Sequence, residues 1–388
     1  MNLKALAVGA GEEQIFFIEE AQKLGIYVIA VDGNPLARGL TVANEGYCID
    51  IKNEEKIIEL AKKHAINFVI PVPIGSLITT MGAVNDALNL KGVTRKQAEL
   101  FSDKEKFKEF KITHGFYNPK ELSIKEPTIF QIQAALEEWN CCCILRPSKG
   151  SGSRGIVLVE KEDSALIQEH LDALLPTEHC LISEFVKGIE YGVDLVISDK
   201  VYILSIREKL LTDMPYRQET GFTIVIDNSI QEKVKKEFEK LVHIVRLKNV
   251  MMHADVIIDG EQIFIIEASP RPAGLGIYEN LLNVYYREPV VQQCINIMTN
   301  DNNDCVLTDK TNFIGLYFWD LPNKKITKAL DYSKDGIIKF KFNLNINDTV
   351  PTVKQGADIY KRGYFLLKAN TKEAILDLRQ NVLDSVVR

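Results

Sequence analysis

The sequence predicts a protein of mixed α/β and α+β class, with a Rossmann-like region first, a larger β-rich body next and a small β-rich C-terminal part. Three observations predict it. Residues 4–93 alternate short apolar runs with amphipathic stretches, residues 141–226 carry short β-rich runs broken by glycines, and residues 304–388 return to strands closed by a helix.

In the first region, apolar runs at 3–8, 27–32 and 67–72 are separated by amphipathic stretches at 13–24 and 54–64, the βαβαβ pattern of a parallel sheet. The stretch from Glu54 puts Ile57, Leu60 and Ala61 on one helical face. A charged helix at 104–110 follows an N-cap at Ser102 or Asp103, and Gly115 and Pro119 turn the chain into the second region. The boundary therefore falls near residue 100. Residues 230–247 form an amphipathic helix ahead of a strong hairpin, and the final helix spans 372–387.

Several function classes drop out on composition. The net charge is -6, and Lys and Arg are interspersed with Asp and Glu, so no basic stripe marks a nucleic-acid partner. Glu12 and Glu13 follow the first apolar run where a signal peptide needs small neutral residues, so that run reads as a strand. Residues 68–84 contain Pro71, Pro73 and two glycines and fall short of the roughly 20 apolar residues of a membrane helix. Seven cysteines without a CxxC, three of them consecutive at Cys141, Cys142 and Cys143, read as buried thiols in a reducing cytosol, hence a cytoplasmic protein.

Four stretches carry chemistry. Gly9-Ala10-Gly11 with Asp32 begins a dinucleotide fingerprint, but its third glycine falls at Gln14, leaving a tight turn or a small-ligand contact. Residues 144–158 run strand, Gly/Ser loop, strand, with Arg146, Lys149 and Arg154 supplying charge and glycine backbone able to approach phosphate oxygens. No Gly-Lys-Ser/Thr leads into a helix, so this is not a Walker loop, and an ordinary hairpin loop stays open as an alternative.

The third stretch is the hairpin 253–271. A three-residue loop at Gly260, Glu261 and Gln262 would pair Asp259 with Ile263 and set Asp255 opposite Glu267, with Ser269 on the same face. A two-residue loop would put the carboxylates on opposite faces. In the first register they converge on a divalent cation, with a salt bridge to an unseen Lys or Arg as the alternative. The fourth stretch, 181–194, is strand, glycine turn, strand. Its exposed backbone suits an adenine edge and Glu190 suits ribose hydroxyls, although a plain hairpin explains it as well.

Taken in this order, the four features resemble the ATP-grasp superfamily over nearly the whole chain. The resemblance implies a pre-ATP-grasp domain at 1–100 and an ATP-grasp domain at 101–303. The latter would comprise a small nucleotide lobe at about 112–187 and a large lobe at about 188–303. It further implies that Lys104 and Arg146 contact ATP phosphates, that Ser151, Gly152, Ser153 and Arg154 belong to the mobile phosphate loop, and that Glu184, Phe185 and Val186 form the adenine-reading hinge. Glu190 then matches the ribose carboxylate, Asp255, Glu267 and Ser269 the metal ligands, and Arg271 the residue steadying the transferred phosphoryl group. Two positions depart from the family: Arg stands for Lys at 146, and Ser stands for Asn at 269.

The tail at 350–374 is similar to the C-terminal domain of biotin-carboxylase-like enzymes and L-amino-acid ligases, giving a third part at 304–388. His253 and Lys209 resemble the ligase branch, and the paired-arginine, glutamine and lysine run of the carboxylases is missing. The resemblance implies an enzyme using ATP and Mg2+, with Mn2+ as an alternative ion, to join a small-molecule carboxylate to an amine through an acyl phosphate. Lys209 and Arg271 would be its catalytic cations. A purine-pathway or carboxylase-like substrate, or an inactive ATP-binding protein, is the alternative, and oligomeric state is open, a homodimer included.

Overall fold

The computed structural model describes residues 3–75, 77–148, 155–174, 179–300, 304–308, 312–329, 335–354 and 356–387. The alternating pattern of the first region folds as expected. Strands β1 (Lys4–Val8), β2 (Tyr27–Asp32), β3 (Glu45–Cys48) and β4 (Phe68–Val69) form one parallel sheet in the order β3-β2-β1-β4. Helix Glu12–Lys23 lies between β1 and β2, and helix Glu54–His64 buries Ile57, Leu60 and Ala61, the face read from the sequence.

A second sheet of β5 (Glu121–Ile124), β6 (Cys143–Pro147), β7 (Val157–Val159) and β8 (Cys180–Glu184) is antiparallel, in the order β5-β8-β6-β7. Its core joins Cys143, Leu145, Val157 and Ile182 to Ile132, Ala135 and Leu136 of helix Ile129–Trp139, which Thr128 and Gln131 start with a capping box.

The third sheet contains β9 (Ile189–Ile197), β10 (Val201–Leu211), β11 (Glu219–Ile224), β12 (Val250–Asp259), β13 (Gln262–Ser269), β14 (Phe313–Phe318), β15 (Ile337–Phe342) and β16 (Gly363–Ala369). Every pairing in it is antiparallel, and the order is β13-β12-β9-β10-β11-β14-β16-β15. The strands after residue 304 thus extend the sheet that carries the hairpin, through β11 and β14. On one face, Trp319, Phe365, Ile375 and Val382 form a separate cluster under helix Lys372–Asp384. The amphipathic helix expected at 230–247 spans Asn228–Val245 and buries Val234, Phe238 and Leu241.

The cysteines depart from the uniform burial expected of them. Cys143, Cys180 and Cys294 are buried, Cys141, Cys142 and Cys305 are half-buried, and Cys48 is exposed; all seven thiols are free. No helix among the described residues is long and apolar enough to cross a membrane.

Candidate active site

The hairpin reaches the expected pairing by an unexpected route. Asp259 pairs with Gln262, not Ile263, so the turn has two residues, Gly260 and Glu261. That turn alone would set Asp255 and Glu267 on opposite faces. A bulge after Val256↔Ile265 adds Ile266 to β13 and shifts the register by one, so that Asp255 lies opposite Glu267 and His253 opposite Ser269. His253, Asp255 and Glu267 then offer ligand atoms within 4.8 Å of one another, a spacing suited to one cation.

Asp255 is poised in two directions. Its Oδ2 accepts from Lys209 Nζ at 2.7 Å, while its Oδ1, buried and 3.3 Å from His253 Nε2, has no aligned hydrogen bond among the described residues. Burial raises the Asp255 carboxyl, but Lys209 and His253 outweigh it and hold the group ionised, well below the usual carboxylate range. An ionised carboxylate with an orphaned buried oxygen, facing a second carboxylate, fits a divalent cation.

Lys209 is more deeply committed than its sequence position suggested. On β10, with its side chain 2% exposed, its Nζ also contacts Glu190 Oε1 at 3.1 Å and Glu219 Oε1 at 2.5 Å. Burial favours loss of its proton, yet Asp255, Glu219 and Glu190 raise it well above the ordinary lysine value. Behind this pair, Arg207 Nε donates to Asp194 Oδ2 at 2.8 Å, and Gly192 leaves room for its guanidinium, which a Cβ there would approach to 2.8 Å. Burial also opposes the charge on His253, but Asp255 and Asp194 raise its proton affinity.

Glu190 receives a second cation, Arg217 Nη2, at 3.4 Å, and Arg217 stacks 5.3 Å from the Phe185 ring. This chain of contacts links the segment 184–186 to Glu190 and so to Asp255. At the start of that segment, Glu184 N–H donates to Lys120 O and Phe185 N–H to Cys142 O. Gly188 turns the chain from β8 to β9 at φ +127°, pressed so close to β12 that a Cβ would lie 2.5 Å from Ile258 O.

A cleft of about 500 Å³ opens between the second sheet and β13. Lys104, Arg146, Glu267, Ser269 and Arg271, far apart in sequence, all line it. Lys104 begins helix Lys104–Thr113, whose first amides, Glu105 and Lys106, are capped by Asp103 Oδ1. Arg146 Nη2 pairs with Glu121 Oε2 at 2.5 Å, which Ser183 Oγ also donates to at 2.6 Å. Burial raises the Glu121 carboxyl, and Arg146 and Ser183 bring it below the usual range. Arg271 Nη1 donates to Pro272 O, whereas the buried Nε atoms of Arg146 and Arg271 have no hydrogen-bond partner among the described residues. Cationic donors left unsatisfied beside a cleft fit a polyanion. Ser151, Gly152, Ser153 and Arg154 lie outside the described residues.

Sequence reasoning passed over Glu219, Glu121, Arg217, Glu13, Lys108 and Lys111. The last two carried a signal: with Lys104 they recur at spacings of four and three on one helical face. Glu13 accepts from Leu275 N–H at 2.5 Å, tying the glycine turn of the first sheet to the segment after Arg271.

Residues 101–275 match the family described as an ATP-grasp domain. The formate-dependent phosphoribosylglycinamide formyltransferase of Wolinella succinogenes is 22% identical over 298 residues, 71% of this chain and 72% of that protein. Among solved structures, the L-amino acid ligase from Bacillus licheniformis has a TM-score of 0.77 at 15% identity, covering 100% of this chain and 98% of the other. The phosphoribosylglycinamide synthetase from Anaerococcus prevotii has a TM-score of 0.71 at 20% identity, with 100% and 99% covered. At these identities the structural likenesses establish the fold.

Proposed function

We propose that this chain, which belongs to the ATP-grasp superfamily, is an ATP-dependent ligase that activates a small carboxylate as an acyl phosphate and passes the acyl group to an amine. The observation that carries this reading is the single cleft lined by Lys104, Arg146 and Arg271 on the one hand and by Glu267 and Ser269 on the other. Such a site clamps a polyphosphate at its cations and holds its metal at its carboxylates.

A carboxylate oxygen of the first substrate attacks the γ-phosphorus, and ADP leaves. The amine nitrogen then attacks the acyl carbon, inorganic phosphate departs with one oxygen of the original carboxylate, and the amine releases a proton to solvent. Asp255 and Glu267 would hold Mg2+, or Mn2+ in its place, with Ser269 a neutral ligand; a cation held there would supply charge neutralisation at the phosphates. Lys104, Arg146 and Arg271 stabilise the charge that develops on the transferred group. Lys209 acts on Asp255, keeping it ionised and in place. The hinge 184–186 and Glu190 would receive the adenosine, and residues 149–154 would close over the phosphates. The division into 1–100, 101–303 and 304–388 belongs to the same proposal.

For the substrates, the name of the Wolinella succinogenes relative favours a non-amino-acid pair, formate or another small carboxylate with an amine on a phosphorylated sugar, over the joining of amino acids. A phosphate-release screen with magnesium and ATP tests both readings. Formate, bicarbonate and amino acids are each supplied with and without an amine acceptor. Release that depends on formate or another simple carboxylate supports the favoured pair, release with amino acids alone restores the other, and release of pyrophosphate overturns both.

A further inference from the structure

We infer that Lys111 is an additional cation of the nucleotide site, and that it takes up a proton when the phosphates of a magnesium nucleotide enter the cleft. The inference rests on the nucleotide reading above. Lys111 lines the same cleft but is only 4% exposed. Its Nζ donates to Ile265 O at 2.8 Å, next to the bulge that aims Glu267, and sits over the Phe264 and Phe107 rings, 4.5 and 5.3 Å from their centroids.

A buried lysine ordinarily has a carboxylate beside it. Among the described residues no carboxylate lies within 4.0 Å of the Lys111 ammonium. Its own helix contributes Lys108 and, at the cleft rim, Lys104, Asp103 and Glu105; β6 contributes Arg146, β5 Glu121, and β13 Glu267. Arg271 and His179 complete the charged and titratable lining. Glu121, whose charge favours the ammonium, is already held by Arg146 and Ser183. Burial, reinforced by Arg146 and Lys108 and only partly opposed by Glu121, pushes the ammonium down to about 7. Either protonation state can donate to Ile265 O, so the amine keeps its place while its charge changes. An incoming polyphosphate supplies the counter-charge that this wall of the cleft lacks, and the protonated form is then favoured. Nucleotide affinity should therefore weaken above pH 7 by up to about tenfold per pH unit.

Calorimetric titration of MgADP into the full chain at pH 8, in buffers of different ionisation enthalpy, counts the protons directly. The wild type should take up close to one proton per nucleotide. Lys111→Met should lose that uptake, Lys111→Arg should lose it while keeping tight binding, and His179→Gln should retain it. Binding by the wild type without uptake, or uptake persisting in Lys111→Met or Lys111→Arg, overturns the inference and leaves the nucleotide site standing. If Lys111→Met does not fold, the proton count of Lys111→Arg decides. Failure of the wild type to bind MgADP would overturn the nucleotide reading and this inference together.

Discussion

Replacing Glu267 with glutamine separates catalysis from stability at the carboxylates proposed to hold the metal. Glu267 is exposed, and its amide counterpart occupies nearly the same volume, so the fold should change by less than about 0.5 kcal/mol. What disappears is one negative charge from a three-residue cluster whose ligand atoms lie within 4.8 Å of one another. Losing a contact made to the developing charge of a phosphoryl transfer should cost at least as much as losing one oxyanion donor. That is about 10²–10³ in turnover, or roughly 3–4 kcal/mol. The half-saturating magnesium concentration should rise by about 10–100-fold. ADP formation across a magnesium titration, run beside a thermal melt, measures both. Asp255→Asn offers the contrast, because it strips the buried Lys209 of one of its three carboxylates and should lower stability as well, by on the order of 3 kcal/mol. A Glu267→Gln enzyme with a rate within about threefold of wild type and an unchanged magnesium dependence would refute the assignment.

Arg146→Ala should impair ATP use far more than Arg146→Lys, which restores the charge; equal loss of kcat/KM in both would show that the guanidinium fork to Glu121 is what matters. Lys209→Met leaves Glu190, Glu219 and Asp255 in mutual repulsion, and a denaturant titration should show about 3–5 kcal/mol of lost stability. Little change would mean that solvent or an ion already screens the cluster. Gly188→Ala must hold φ +127° and force a Cβ against Ile258 O, so its melting temperature should fall by several degrees; an unaltered melt would show that the strand break can relax.

Local periodicity made the first sheet legible, since its helices and parallel strands follow from short-range patterns that tertiary contacts do not override. The helix Glu54–His64 has the bounds and the buried face, Ile57, Leu60 and Ala61, expected from the sequence. Of the candidate site, the residues that the fold brings to one cleft, Lys104, Arg146, Glu267, Ser269 and Arg271, were legible more than their geometry. Asp255 and Glu267 do face each other, but through a bulge at Ile266 that no turn rule encodes, because the extra residue is fixed by what packs around it. The partners of Lys209 were out of reach for another reason: Glu219 meets it only because β10 and β11 pair side by side. The burial of Lys111 was not legible either, since a lysine stripe on a helix normally marks a solvated face, and here Lys111 turns inward onto Phe264 and Ile265. That the strands after residue 304 continue the sheet of the hairpin was not legible, because the pairing of β11 with β14 spans some ninety residues and leaves no local trace.

Single-turnover transfer of oxygen-18 shows whether the substrate's own carboxylate attacks the γ-phosphorus. With the carboxylate substrate labelled, magnesium and ATP present and the amine acceptor supplied, ADP should be the nucleotide product and each phosphate released should carry one labelled oxygen. AMP as the stoichiometric product, or phosphate free of label, would contradict it.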